Sequence, residues 1–178
     1  LIASRVAHLT AYQDADLAAR YTSRLESIRR LGNDDLTRTV ATQYARLLAP
    51  KDAWEIARLY AQPEFLQGLN ERFDGELRLS FHLAPPGLSR PGPDGRPKKI
   101  RFGAWVLPVF RIMAKVRRWR GSWFDPWKNS EENKLDHQLL ADYESDLDLI
   151  LKHSPTQELT ALANWPAEVR GFGPVRSE

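Results

Sequence analysis

Nine basic residues and no acidic one lie between Arg96 and Phe124: Arg96, Lys98, Lys99, Arg101, Arg111, Lys115, Arg117, Arg118 and Arg120. Such a block offers charge-assisted hydrogen bonds to phosphates or carboxylates and raises the local concentration of anionic partners. Of 26 lysines and arginines in the chain, the other 17 are outnumbered by 23 acids, so a weakly acidic body carries one basic stripe. From Asp125 to Glu158 the sign reverses, with nine acids against Lys128, Lys134 and Lys152. Two readings stay open: the blocks neutralise each other in the fold, or the stripe meets an external anion. The candidate docking residues are Lys98, Lys99, Arg101, Arg111, Lys115, Arg117, Arg118 and Arg120. Nucleic acid, a phosphate-bearing cofactor and an acidic protein all fit this charge pattern.

Other chemistries find little to work with. The 178 residues hold no cysteine, which excludes disulfides, thiolate metal sites and cysteine nucleophiles within this chain. The four histidines, His8, His82, His137 and His153, are scattered and make no metal-ligand spacing. His82 is the one surface candidate, on the polar side of an expected strand. Asp142 and Asp146 share a helix face, most simply a solvated one. Nucleophile-elbow, zinc-protease, phosphate-loop and dinucleotide motifs are missing, and Gly171-Phe172-Gly173 is too short to stand for one. No catalytic residue and no metal ligand is therefore expected. No apolar run is long enough to span a membrane and no leader is visible, so the expected compartment is cytoplasmic. Leu1 in place of a methionine reads as the start of a piece of a longer chain.

The elements that would position the stripe are mostly helices. Ile2, Val6, Leu9 and Tyr12 lie at helical spacing. Asp14 caps the next stripe, Leu17, Tyr21, Leu25 and Ile28, which Gly32 ends. Asn33, Asp34 and Asp35 offer caps for Leu36, Val40, Tyr44, Leu47 and Leu48. Asp52 caps a helix with Trp54, Ala57 and Tyr60 or Leu59 inward, and Pro63 opens one carrying Phe65, Leu66, Leu69 and Phe73. Glu76 to Leu83 alternates apolar and polar, as a half-buried strand does, and so does Lys98 to Phe102. The proline- and glycine-rich stretch between them, with an Asp94-Gly95 turn, makes a hairpin with a long connection. Its apolar side, Leu77, Leu79, Phe81, Ile100 and Phe102, is expected to lie on the helices. A helix from Pro108 to Gly121 buries Val109, Ile112, Met113, Val116 and Trp119. An aromatic linker follows, then a helix capped by Asn129 with Glu132 and striped by Leu135, Leu139, Tyr143, Leu147 and Ile150 or Leu151. Ser154-Pro155 starts a last short helix with Leu159 and Leu162. The expected fold is α+β and predominantly helical, with about seven helices and one inserted two-stranded hairpin. The chain is read as one domain: residues 1–73 helical, 76–102 hairpin and loop, 103–178 helical with a tail.

Several strings run in the order of a known family. They are Tyr12-Gln13-Asp14 with Tyr21, Lys51-Asp52-Ala53-Trp54-Glu55-Ile56-Ala57-Arg58-Leu59-Tyr60, Phe81-His82-Leu83-Ala84-Pro85-Pro86, Phe102-Gly103-Ala104-Trp105-Val106-Leu107-Pro108, Leu139 to Tyr143, and Arg170-Gly171-Phe172-Gly173-Pro174-Val175-Arg176. The chain thereby resembles the C-terminal domain, of unassigned role, in large single-chain indolepyruvate ferredoxin oxidoreductases. The resemblance implies a parent that oxidatively decarboxylates aryl-pyruvates with thiamine diphosphate, Mg, coenzyme A and iron–sulfur clusters and passes electrons to ferredoxin. It implies no cofactor in this piece, since the cluster and thiamine motifs belong elsewhere in such chains. The implied partners are catalytic domains of the parent chain, with ferredoxin or a homo-oligomer partner as further ones, and no membrane. A reading independent of the resemblance is an anion- or nucleic-acid-binding module that uses the basic 96–120 segment.

Overall fold

Asp14, Asn33 and Asp52 start three helices, each accepting the backbone N–H three residues on: Leu17 at 3.0 Å, Leu36 at 2.9 Å and Glu55 at 2.7 Å. Each side chain satisfies a donor that the first helical turn leaves without a partner. The computed structural model describes residues 1–85, 89, 92 and 98–169. Its elements are α1 (Ile2–Tyr12), α2 (Ala15–Arg29), α3 (Asp34–Leu48), α4 (Ala53–Ala61), α5 (Pro63–Asn70), β1 (Ser80–Leu83), β2 (Ile100–Gly103), α6 (Leu107–Lys115), α7 (Glu131–Ile150) and α8 (Gln157–Leu162). Short 3-10 turns occupy Ala104–Val106, Arg117–Trp119 and Trp165–Ala167. The fold is helical α+β, with eight α-helices among the described residues where about seven are expected. The chain divides into two compact units, Leu1–Pro50 with Asn129–Glu178, and Lys51–Lys128. The second unit therefore joins α4 and α5 to the hairpin and α6, across the boundaries at 73 and 103 drawn from the sequence.

In the first unit α1, α2, α3, α7 and α8 share one core. Tyr21, Ile28, Leu36, Val40, Tyr44, Tyr143, Leu147 and Ile150 are fully buried, on the stripes expected of α2, α3 and α7. Burying each such side chain is worth about 1.5–3 kcal/mol. Three of them are tyrosines in a row: Tyr21 and Tyr44 stack at 6.0 Å, Tyr44 and Tyr143 lie at 6.2 Å, and Trp165 meets Tyr143 edge-on at 5.8 Å. Each phenol is spoken for. Tyr21 donates to the Ala41 carbonyl at 3.0 Å, Tyr143 to that of Ala163 at 2.9 Å, and Tyr44 to Glu144 at 2.5 Å. Glu144 also receives Arg20 at 2.7 Å, Asp148 pairs with Arg24, and Asp146 accepts the Trp165 indole at 2.8 Å. The acids of α7 are thus not simply a solvated face, since three of them tie α7 to α2, α3 and the turn after α8. The cap of α7 also differs from expectation: Ser130 Oγ accepts Asn133 N–H, one residue after the Asn129 of the expected box. Thr156 likewise caps α8 two residues beyond Ser154.

In the second unit β1 pairs antiparallel with β2, Ser80 opposite Gly103, Phe81 opposite Phe102, His82 opposite Arg101 and Leu83 opposite Ile100. The strands are shorter than the alternation suggests, for a reason visible in the register. Past Gly103 the chain turns into the 3-10 segment, so Glu76 to Leu79 have no strand opposite them. At the other end Pro85 lacks the N–H that the ladder would use. The Asp94-Gly95 turn lies outside the described residues. Phe81 is buried, while Leu79 and Phe102 pack partly against the same cluster. Leu77 and Ile100, expected to be inward, are exposed. Tyr60 sits at the centre of the cluster, with ring centroids 4.8 Å from Phe65, 5.1 Å from Phe81 and 5.6 Å from Phe110.

Burial pushes the Tyr21, Tyr44 and Tyr143 phenols above the ordinary value of about 10, and the Glu144 carboxylate adds to the shift at Tyr44. Above pH 10 the unfolded chain releases these protons before the folded one does, so stability is full below that pH and falls as pH rises. We expect the urea unfolding midpoint to hold level up to about pH 10 and to drop beyond it. Tyr44→Phe combined with Tyr143→Phe should flatten the drop, measured as the slope of unfolding free energy against pH; an unchanged slope would contradict the assignment.

Candidate docking surface

The string Lys51 to Tyr60 is where the second unit is assembled. Asp52 caps α4 and also holds Arg120, with Nε on Oδ2 at 2.5 Å and Nη2 on Oδ1 at 3.0 Å. Trp54, two residues on, is buried and donates its indole N–H to Asp125 Oδ1 at 3.2 Å. Asp125 is itself buried and accepts two backbone donors, Gly121 N–H at 2.7 Å and Trp127 N–H at 3.0 Å. Gly121 has φ of +72°, a conformation that disfavours a side chain, and it turns the chain back toward that carboxylate. Trp127 packs edge-on against Trp54 at 5.7 Å. One turn further along α4, Arg58 grips Glu55 through two bonds of 2.7 Å, which hold the guanidinium above its usual pKa. Ala57 and Tyr60 complete the string by facing the aromatic cluster. A segment with little regular structure, 116–128, is thereby fastened to α4 by side-chain bonds.

This fastening decides which basic residues remain outside. Arg120 is turned inward onto Asp52, and Arg117 is half-buried and donates to the Ala114 carbonyl at 3.2 Å. Lys98, Lys99 and Arg101 are exposed at β2, and Arg111, Lys115 and Arg118 are exposed on α6 and the turn after it. The expected stripe of eight thus resolves into a strand group and a helix group of three each. His82 is exposed on the strand pair, directly opposite Arg101. Arg96 lies outside the described residues, as does the closing run from Arg170. Of the acidic block expected to oppose the stripe, Glu144 and Asp148 pair with Arg20 and Arg24 of the first unit, and Asp125 is held within the second.

The structure corrects the expected face of α6. Leu107 and Phe110, with Val106 before them, are the buried positions, whereas Val109 and Ile112 are 44% and 63% exposed and Trp119 49%. Trp105 is also open at 65%, and Trp123, 80% exposed, lies tilted against Phe124, which stacks on Trp119. The helix is apolar on both sides, so apolar spacing alone does not say which side meets the core. Residues 51–128 carry fifteen basic and eight acidic side chains, a formal +7, against eleven and fifteen in the other unit, a formal −4. The second unit is therefore a cationic body whose outer helix carries exposed apolar groups.

The family of unknown function DUF6537 matches residues 1–178. The chain belongs to DUF6537. No curated protein and no solved structure matches it. There is no cysteine to bind a cluster, and among the described residues no group of three or more His, Asp or Glu side chains comes together to hold an ion. No described helix is long and apolar enough to cross a membrane.

The tie between α4 and the 116–128 segment has a measurable energy. In a double-mutant cycle of Asp52→Ala and Arg120→Ala, read by urea unfolding, we expect a coupling of about 0.5–3 kcal/mol. Asp52→Ala alone should lose a further ~1 kcal/mol through its cap. Strictly additive variants would remove the pair from the account.

Proposed function

We propose that this DUF6537 chain is a non-catalytic C-terminal domain of an indolepyruvate ferredoxin oxidoreductase. The parent would couple thiamine-diphosphate-dependent oxidative decarboxylation of aryl-pyruvates to electron transfer onto ferredoxin. The domain serves it by packing on the catalytic modules and by docking a partner: ferredoxin, or another subunit. The observation that carries this reading is how the strings of the resemblance are used. Tyr12 donates to the Pro50 carbonyl at 3.0 Å, Asp14 caps α2, and Tyr21 donates to Ala41. Asp52, Trp54, Glu55 and Arg58 each make internal bonds, and Phe81 is core. Side chains committed in this way build a scaffold, and exposed cations and apolar groups on and beside α6 remain suited to contact. Thiamine diphosphate, Mg, coenzyme A and the clusters are assigned to the rest of the parent.

Two measurements test this. The isolated chain, supplied with indolepyruvate, thiamine diphosphate, Mg, coenzyme A and a viologen acceptor, is expected to give no turnover, and sustained acceptor reduction would overturn the non-catalytic role. The residues encoded upstream of Leu1 are expected to form a thiamine-dependent oxidoreductase, and an unrelated enzyme there would overturn the parentage.

A further inference from the structure

We propose that the outward side of α6 is a docking site for an acidic amphipathic helix of a protein partner. The proposal rests on the docking role above, not on the parent's chemistry, and it names the partner's chemistry. Val109 and Ile112, three apart within α6, lie on one side of the helix, and Trp105 precedes them in the 3-10 turn at its start. All three are exposed, while Leu107 and Phe110 behind them close the core. A helix on a protein surface normally turns polar residues outward, so an apolar stripe opposite the buried one calls for a cover. Stripes of this spacing are what a second helix packs into.

The indole of Trp105 is already oriented. It lies edge-on to Phe102 with centroids 5.7 Å apart and crosses Gly103, where a Cβ would come within 3.3 Å of its ring. A large aromatic held in place while exposed loses little entropy on binding and makes a good anchor.

Charge selects the occupant. Arg111 and Lys115, both exposed and four apart on α6, lie beside the apolar pair, and exposed Arg118 follows in the 3-10 turn beyond. No acid occurs between Lys98 and Phe124. A partner helix that buries leucine-like residues on Val109 and Ile112 must then place carboxylates against these cations, and a basic helix is repelled. Aliphatic groups in the middle of the site offer nothing to a phosphate backbone, which favours protein over nucleic acid.

The test uses the full chain and a fluorescent synthetic peptide of about eighteen residues, long enough to form a helix, with leucines at helical spacing and glutamates beside them. We expect micromolar binding that weakens about tenfold in Ile112→Ser. A loss at least as large is expected in Arg111→Glu combined with Lys115→Glu, and from raising the salt from about 50 to 300 mM. Lys98→Glu combined with Lys99→Glu, on the strand group, should change the affinity by less than about twofold. Circular dichroism of the variants should match the parent chain, since the altered residues are exposed. Absence of binding would overturn the proposal, as would equal affinity in Ile112→Ser or equal binding of the lysine counterpart of the peptide. So would peptide displacement by a single-stranded oligonucleotide or phosphatidylserine vesicles at lower concentration than by unlabelled peptide, or by further copies of the chain itself. A failed peptide assay with a thiamine-dependent module upstream would remove this site and leave the parentage standing.

Discussion

A buried carboxylate, Asp125, holds the second unit's outer surface in shape. Its two oxygens take the Trp54 indole and the Gly121 and Trp127 amides, three donors that would be costly to bury without an acceptor. Apart from it, the chain from Val116 to Lys128 has one short 3-10 turn and a few single backbone bonds, such as those from Ser122 N–H to the Trp119 carbonyl and from Lys128 N–H to that of Asp125. With it, and with Arg120 folded onto Asp52, this stretch becomes a fixed extension of α4. The inward turn of Arg120 follows from that, as does the grouping of the Trp119, Phe124 and Trp123 rings.

The first unit is built on a different balance. Its core is a row of tyrosines, each of which brings a hydroxyl into an apolar interior. Such a core is favourable only where every hydroxyl finds an acceptor. Two acceptors are backbone carbonyls and the third is Glu144, which Arg20 in turn neutralises. The acidic side of α7 is thus part of the core's polar accounting, and the two units divide the chain's charge between an acidic tyrosine-centred body and a cationic one.

Much of this was legible in the residues, and what was not has identifiable physical causes. Caps at Asp14, Asn33 and Asp52 and the stripes of α2, α3 and α7 follow from local chemistry at helical spacing, and they recur in the structure. The side of α6 that meets the core did not follow, because Leu107, Phe110 and Met113 alternate around the helix with Val109, Ile112 and Val116, and 3-10 turns at both ends shift the phase. The lengths of β1 and β2 depend on what lies opposite, which a single strand does not encode. At the docking surface the six exposed cations belong to the expected set. The inward turn of Arg120 and Arg117 was hidden, since the partner of Arg120 is 68 residues away. For the same reason the bond between Tyr44 and Glu144, 100 residues apart, leaves no local signal.

A side-chain carboxylate, more than regular secondary structure, fixes the 116–128 segment. Native-state amide exchange reads it directly. The Gly121 and Trp127 amides, which sit in irregular backbone, should exchange well over tenfold slower than freely exposed amides, and Asp125→Asn should release them while the amides at the centres of α3 and α7 keep their protection. Free exchange of Gly121 and Trp127 in the unaltered protein would contradict the account.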